Sequence, residues 1–112
     1  MLQLVAASLS SVVRRGEILA RYGGEEFLLV APACDVEGLL QLGERLRRAV
    51  EDLAIDIDGV EVRVTVSVGG ACASDAVSSE DGERLVRKAD GYLYRAKRNG
   101  RNRTEISPES VL

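Results

Sequence analysis

Two adjacent carboxylates, Glu25 and Glu26, follow directly on a glycine pair between two apolar runs. Strand-like runs joined by Gly23-Gly24 predict a β-hairpin, because glycine adopts the positive φ of a two-residue turn without a Cβ clash. Successive side chains of a strand leave opposite faces, so the two glutamates share a partner only if the strand bends or an ion sits at its rim. The bare glycine backbone would also let a phosphate or a base approach closely. A plain surface hairpin with two solvated glutamates is the alternative.

Charge is distributed unevenly along the 112 residues. The formal net charge is −3, which argues against a protein that coats nucleic acid. Residues 84–103, however, carry eight of the fifteen basic side chains and only one acidic one. This basic quarter would attract phosphates, although a solvated helix face accounts for part of it equally well.

Several classes of site are excluded by composition. Cys34 and Cys72 have no CxxC spacing and the chain has no histidine, so zinc and Cys-His chemistry lack a ligand set. Both cysteines are expected to be reduced, packed thiols. No apolar run reaches the ~18 residues of a membrane span, and no leader pattern opens the chain. The cytoplasm is therefore the expected compartment.

The helices that would position these residues follow from the apolar spacing. Residues 2–13 predict a first helix, with Gly16 as its stop. Asp35 is a suitable N-cap for a second helix. Its polar side chains are expected to face water: Glu44, Arg45, Arg47 and Arg48. A third helix is predicted after a loop over 73–82, with Ser78 or Ser79 as its cap and Asn99-Gly100 as its end.

Strand signals complete the pattern. Asp58-Gly59 predicts a second hairpin, whose return strand alternates valine with polar residues from Val60 to Val68. Residues 101–106 predict a short closing strand. Helix, hairpin, helix, hairpin, helix and strand indicate an α+β fold with a largely antiparallel sheet covered by helices.

Three segments resemble one family. Residues 21–27, Arg-Tyr-Gly-Gly-Glu-Glu-Phe, closely resemble the signature of the GGDEF family, the diguanylate cyclases that condense two GTP molecules into cyclic di-GMP. Residues 65–69 look like the family's later core strand, and residues 89–102 like its last helix and the following turn. The three segments keep the family's order and spacing and cover nearly the whole chain.

The resemblance implies a fold and a site. The fold would be a central sheet surrounded by helices, related to nucleotidyl-cyclase and polymerase palms. Glu25 and Glu26 would hold Mg²⁺ or Mn²⁺, and Gly23 and Gly24 would lie against the nucleotide. Lys97 and Arg101 match the basic positions that hold the terminal phosphates, although cations at a helix C-terminus are also common for reasons of the helix dipole. These assignments follow from the motif match.

The resemblance also implies an inhibitory product site. Many family members have Arg-x-x-Asp five residues before the glycine pair, and this chain has Arg14-Arg15-Gly16-Glu17 at that offset. Arg14 would grip a guanine edge with two hydrogen bonds. Glu17 departs from the family's aspartate, and its longer side chain places the carboxylate differently.

A complete family domain has an upstream strand with a metal-binding aspartate and a helix that reads guanine, and these 112 residues contain neither motif. The expectation is thus a GGDEF domain over 1–112 truncated at its N-terminus, inactive alone, from a homodimeric protein with an upstream sensory or receiver domain. Two alternatives are a degenerate domain that acts as a GTP or cyclic di-GMP receptor, and a dimerisation scaffold.

Overall fold

The computed structural model describes residues 2–23, 26–31, 34–73 and 79–108, with side chains for all of these except 21–23 and 79. Three helices and six strands follow one another in this part of the chain. In order they are α1 (Leu2–Val12), β1 (Ile18–Gly23), β2 (Glu26–Val30), α2 (Val36–Glu51), β3 (Ile55–Ile57), β4 (Val60–Val62), β5 (Val68–Gly70), α3 (Ser79–Arg98) and β6 (Thr104–Ile106).

Helices α1 and α2 enclose the main apolar core. Five buried side chains form it: Val5, Leu9, Leu42, Leu46 and Val50. The Ser8 hydroxyl of α1 donates to the Ala49 carbonyl of α2 at 3.1 Å. As predicted, Asp35 is the N-cap of α2, and its Oδ1 accepts from the Gly38 N–H at 2.8 Å.

The first hairpin has a different turn from the predicted one. Strands β1 and β2 are antiparallel, and Arg21 lies opposite Phe27, but Gly23 lies opposite Glu26. Gly23 is therefore the last residue of β1, and the prediction that it lies at the centre of the turn is wrong. Gly24, the other residue of the predicted turn, lies outside the described residues. The register shift between Arg21 and Gly23 is a β-bulge, a feature that bends a strand and re-aims its side chains.

The second hairpin turns where the Asp-Gly pair predicts. Ile57 lies opposite Val60, and both Asp58 and Gly59 have positive φ, 52° and 83°. The predicted return strand is not continuous, however. It divides into β4 and β5, with residues 63–67 between them outside any sheet. The alternation of valine with polar residues predicts an extended segment with one apolar face. It does not reveal where the hydrogen-bonded pairing of the strands ends.

Helix α3 packs on the parallel pair formed by β5 and β6. Val68 lies opposite Thr104 and Gly70 opposite Ile106. Helix and strand come so close that a Cβ on Gly69 would lie 2.0 Å from the Leu93 backbone nitrogen. Glycine at position 69 is thus what allows β5 to lie against α3.

The ends of α3 and β6 correct two predictions. The helix already includes residues 79–82, so the predicted loop over 73–82 is too long; Glu80 and Asp81 favour the helix there by facing its positive N-terminus. Its capping position, 78, lies outside the described residues. The closing strand starts at Thr104 instead of Arg101, because Arg101 and Asn102 have positive φ.

Pairing among the described strands is mainly antiparallel. They form three two-stranded sheets, two antiparallel and one parallel, and α2 and α3 pack on the parallel one. This arrangement confirms the α+β class. None of the helices in the described ranges has the length and apolar character needed to cross a membrane.

Candidate functional site

A small pocket opens where the first hairpin meets α3. Its volume is about 50 Å³. Strand β2, strand β5 and helix α3 all contribute side chains or backbone to it: Glu26, Phe27, Leu28, Gly69, Val86, Ala89, Asp90 and Leu93. The predicted site residue Glu26 therefore lines a pocket with the helix that carries Lys97, one of the two predicted phosphate ligands.

Two acidic residues are among those that line this otherwise apolar pocket. Glu26 is the first residue of β2, and Asp90 lies in the middle of α3. Carboxylate oxygens are the ligands that Mg²⁺ and Mn²⁺ prefer, so this donor chemistry fits such an ion. Within the described ranges no cluster of three or more acidic, Cys or His side chains could hold a metal. Glu25 and Gly24, the other predicted members, lie outside those ranges.

Asp90 was not predicted from the sequence. It follows Ala89 within the basic quarter of the chain, where it is the one acidic side chain. A single acidic side chain among eight basic ones was the only feature of the sequence that distinguished Asp90. It could not show that Asp90 shares a pocket with Glu26, because the tertiary fold decides which elements line one pocket.

Lys97 lies on the same face of α3 as Asp90. Seven residues separate them, which is two helical turns or roughly 10 Å along the axis. Lys97 is half-buried in the last turn of the helix, and its ammonium forms no ion pair with another described residue. One face of α3 thus leads from the carboxylate pocket to the basic C-terminal end.

Arg101 follows a capped helix end. The Arg101 N–H donates to the Ala96 carbonyl at 2.9 Å across Gly100, which has φ 126°, as in a Schellman motif. Arg101 itself has φ 62° and Asn102 has φ 44°. Left-handed backbone is unfavourable for a residue with a Cβ, so the surrounding contacts must hold it. The Arg101 side chain is exposed.

A hydrogen-bond network from α2 provides those contacts. Arg47 binds both carboxylate oxygens of Glu44, at 2.9 and 3.1 Å, and its Nη1 donates to Asn102 Oδ1 at 2.9 Å. The Asn102 Nδ2 donates to Glu51 Oε2, and the Thr104 hydroxyl donates to Glu44 Oε2 at 2.7 Å. The network joins α2 to the segment between α3 and β6.

This network corrects the expectation that the polar face of α2 is solvated. The Arg47 side chain is only 14% exposed. Hydrogen bonds lower the pKa of the Glu44 carboxyl, with the bond from Arg47 as the largest cause and the bond from Thr104 as the next. The same carboxylate raises the pKa of Arg47. Arg48 alone of the three arginines on this face is exposed, and Arg45 is half-buried.

The residues predicted to bind product form a closed turn between α1 and β1. The Glu17 N–H donates to the Arg14 carbonyl at 3.0 Å, and Gly16 has φ 89°, as the third residue of a type II turn requires. The Glu17 carboxylate accepts from the Arg14 N–H at 2.7 Å. Glu17 thus stabilises its own turn, while the Arg14 side chain is exposed.

This turn and the carboxylate pocket lie at opposite ends of the first hairpin. Strand β1 starts just after Glu17 and ends at Gly23, opposite Glu26. Five strand steps correspond to roughly 16 Å. The structure therefore brings Glu26 together with α3 and separates Arg14 and Glu17 from them.

Comparison with known proteins identifies the family. Residues 1–103 match the family model described as diguanylate cyclase, GGDEF domain. The chain belongs to this family, and it is a diguanylate cyclase-type domain.

Curated relatives agree with this assignment. The chain is 36% identical over 110 residues to diguanylate cyclase A of Treponema denticola, and 38% identical over 106 residues to diguanylate cyclase DgcP of Pseudomonas aeruginosa. These alignments cover 98% and 95% of the chain. The chain spans only 29% and 15% of the two relatives' own lengths.

Solved structures agree as well. The active GGEEF domain of a diguanylate cyclase from Vibrio cholerae has a TM-score of 0.76 at 29% identity, over 97% of this chain and 67% of that one. The GGDEF domain of DgcB from Caulobacter crescentus, in complex with c-di-GMP, has a TM-score of 0.77 at 25% identity. That match covers 94% of this chain and 61% of the other.

Proposed function

We propose that this chain provides part of the catalytic site of a diguanylate cyclase, which converts two GTP molecules into one cyclic di-GMP and two pyrophosphates. One observation carries the proposal. Glu26 lines a pocket together with α3, the same face of α3 leads to Lys97 in its last turn, and the exposed Arg101 follows the end of that helix. A divalent cation and a polyphosphate need this pairing of hard oxygen ligands with nearby cations.

The reaction forms one phosphodiester bond at a time. The 3′-hydroxyl of one GTP attacks the α-phosphorus of another, the hydroxyl proton leaves, and the bond to the β-phosphate oxygen breaks to release pyrophosphate. A second such step closes the ring. Mg²⁺ or Mn²⁺, when bound, neutralises charge on the phosphates. Glu25 and Glu26 would hold the ion, and Asp90 would contribute a further carboxylate at the pocket.

The remaining site residues orient the nucleotide. Gly23 and Gly24 would lie against it, since a backbone without Cβ atoms allows close approach. Lys97 and Arg101 would bind its terminal phosphates by charge-assisted hydrogen bonds. Arg14, at the far end of the hairpin, would bind cyclic di-GMP in a separate inhibitory site.

The partners follow from the reaction. Because both hydroxyls that attack come from GTP molecules bound to different domains, two copies would face each other as a homodimer. Residues 1–112 would supply the hairpin and phosphate-binding part of each domain, and further residues of the active site would come from outside this chain. A cytoplasmic protein with an upstream sensory or receiver domain would suit this role, because GTP is a cytoplasmic substrate.

The assignment of the phosphate ligands is tested by titrating the protein at its full natural length with GTP in the presence of Mg²⁺. The ³¹P NMR signals of the nucleotide give the Kd. We expect Lys97→Met and Arg101→Met each to raise the Kd by about tenfold or more, because each removes a charge-assisted hydrogen bond. Arg98→Met is the matched control, since Arg98 is an exposed cation in the same helical turn. Equal affinities for all four proteins would contradict the proposal.

A further inference from the structure

The backbone at Arg101 is held in place from another helix. Arg101 and Asn102 both have positive φ, and neither is a glycine. Asparagine tolerates such a conformation, but an arginine keeps it only where its surroundings determine it. Helix α3 supplies one restraint, the bond from the Arg101 N–H to the Ala96 carbonyl.

The second restraint comes from Arg47 in α2 and acts through Asn102. Arg47 has donors only, so the Asn102 oxygen must face it, and Glu51 as an acceptor takes the Asn102 amide nitrogen. Both polar atoms of the Asn102 side chain are thereby engaged. Arg47 in turn is fixed by its two bonds to Glu44, whose carboxylate also accepts from Thr104 at the start of β6.

We propose that Arg47 is a positioning residue for phosphate binding, which acts by holding the Arg101-Asn102 backbone so that the Arg101 side chain projects from the surface just after the helix end that carries Lys97. This inference rests on the proposed role of Arg101. Arg47 itself does not contact the nucleotide. Its planar guanidinium donates to Glu44, Glu51 and Asn102 at once. A lysine ammonium cannot reproduce this fixed, planar arrangement of donors.

A double-mutant cycle separates positioning from general destabilisation. Arg47→Lys keeps the charge and should raise the Kd for GTP with Mg²⁺ by about tenfold in the protein at its full natural length. In an Arg101→Met background the same change should have no further effect, because the residue being positioned is absent. Arg48→Lys, an exposed neighbour on α2, is the matched control and should leave the Kd unchanged.

A second readout reports the backbone independently of the ligand. Strong intraresidue NOEs between amide proton and Hα mark positive φ at Arg101 and Asn102, and they should weaken in Arg47→Lys but not in Arg48→Lys. Unchanged NOEs, or the same rise in Kd in both backgrounds, would overturn the positioning role. Failure of the proposed function is recognised separately: Arg101→Met alone would then leave GTP binding intact, and the positioning role would fall with it.

Discussion

The Arg47 guanidinium and the Asn102 side-chain oxygen lie 2.9 Å apart, although 55 positions separate the two residues in the chain. This bond and its neighbours join the middle of α2 to the segment that precedes β6. Helix α2 and the segment after the basic end of α3 are thus held together by specific polar contacts.

Glu44 should make stability depend on pH. Hydrogen bonds from Arg47 and Thr104 depress the pKa of this carboxyl in the folded chain. A depressed folded pKa stabilises the fold above the ordinary glutamate value of about 4.3, and this contribution is lost as pH falls through the folded pKa. The difference in free energy of unfolding between wild type and Glu44→Gln should therefore shrink from pH 7 to pH 3. Urea denaturation at both pH values measures it, and an equal difference at each would contradict the assignment.

Gly69→Ala should strongly destabilise the fold. The new Cβ would lie 2.0 Å from the Leu93 nitrogen and 2.4 Å from its Cα, and backbone atoms cannot swing aside. We expect a loss of about 2–3 kcal/mol or more in the free energy of unfolding. Gly91→Ala is the matched control in α3, because a Cβ at this position would have nothing within 4 Å of it. It should instead gain about 0.5–1 kcal/mol from helix propensity. Thermal melts of both variants decide the matter, and a stable Gly69→Ala protein would refute the close packing of β5 on α3.

The contrast between local and long-range features explains how much of this structure could be predicted from the sequence. The Asp35 cap and the Asp58-Gly59 turn were predicted correctly because each depends on neighbouring residues only. Arg47 was expected in water, because a polar side chain beside an apolar stripe usually is solvated. Its partner Asn102 lies in a distant segment of the chain, and no periodicity in the sequence predicts the hydrogen bond between the two residues.

The same limit applies to the candidate site. The motif match supplied Glu26, Lys97 and Arg101. It did not predict that Gly23 pairs with Glu26, because a bulge adds a residue to one strand without changing the apolar pattern. Asp90 was recognised only from the pocket that residues of α3 and β2 line together. Spatial neighbours of this kind are set by tertiary structure.

Arg101→Gly should separate stability from function. Glycine adopts φ 62° without a Cβ penalty, so the free energy of unfolding should rise by about 1 kcal/mol. The same variant loses the guanidinium and should bind GTP as weakly as Arg101→Met. Chemical denaturation and nucleotide titration measure the two effects. If the Arg101→Gly variant were less stable than Arg101→Ala, the backbone conformation at this position would not be as described.

Product binding should depend on Arg14 more than on Glu17. The Glu17 carboxylate already accepts from the Arg14 N–H, whereas the Arg14 side chain is exposed. Arg14→Ala should weaken binding of cyclic di-GMP by about tenfold, as expected for one bidentate contact to guanine. Glu17→Gln keeps an oxygen acceptor for the turn and should bind nearly as well as wild type. Isothermal titration with Arg15→Ala as control tests this, and binding that survives Arg14→Ala unaltered would exclude Arg14 from a product site.

The most direct test is whether the protein at its full natural length forms cyclic di-GMP from GTP and Mg²⁺. Chromatography of the reaction mixture detects the product. We predict product from wild type and from Glu83→Gln, an exposed carboxylate of α3 outside the pocket. Glu25→Gln and Glu26→Gln should each reduce the rate by at least about a hundredfold, because charge stabilisation of the phosphates is lost. Absence of product from wild type, or unchanged rates in both glutamine variants, would contradict the central claim.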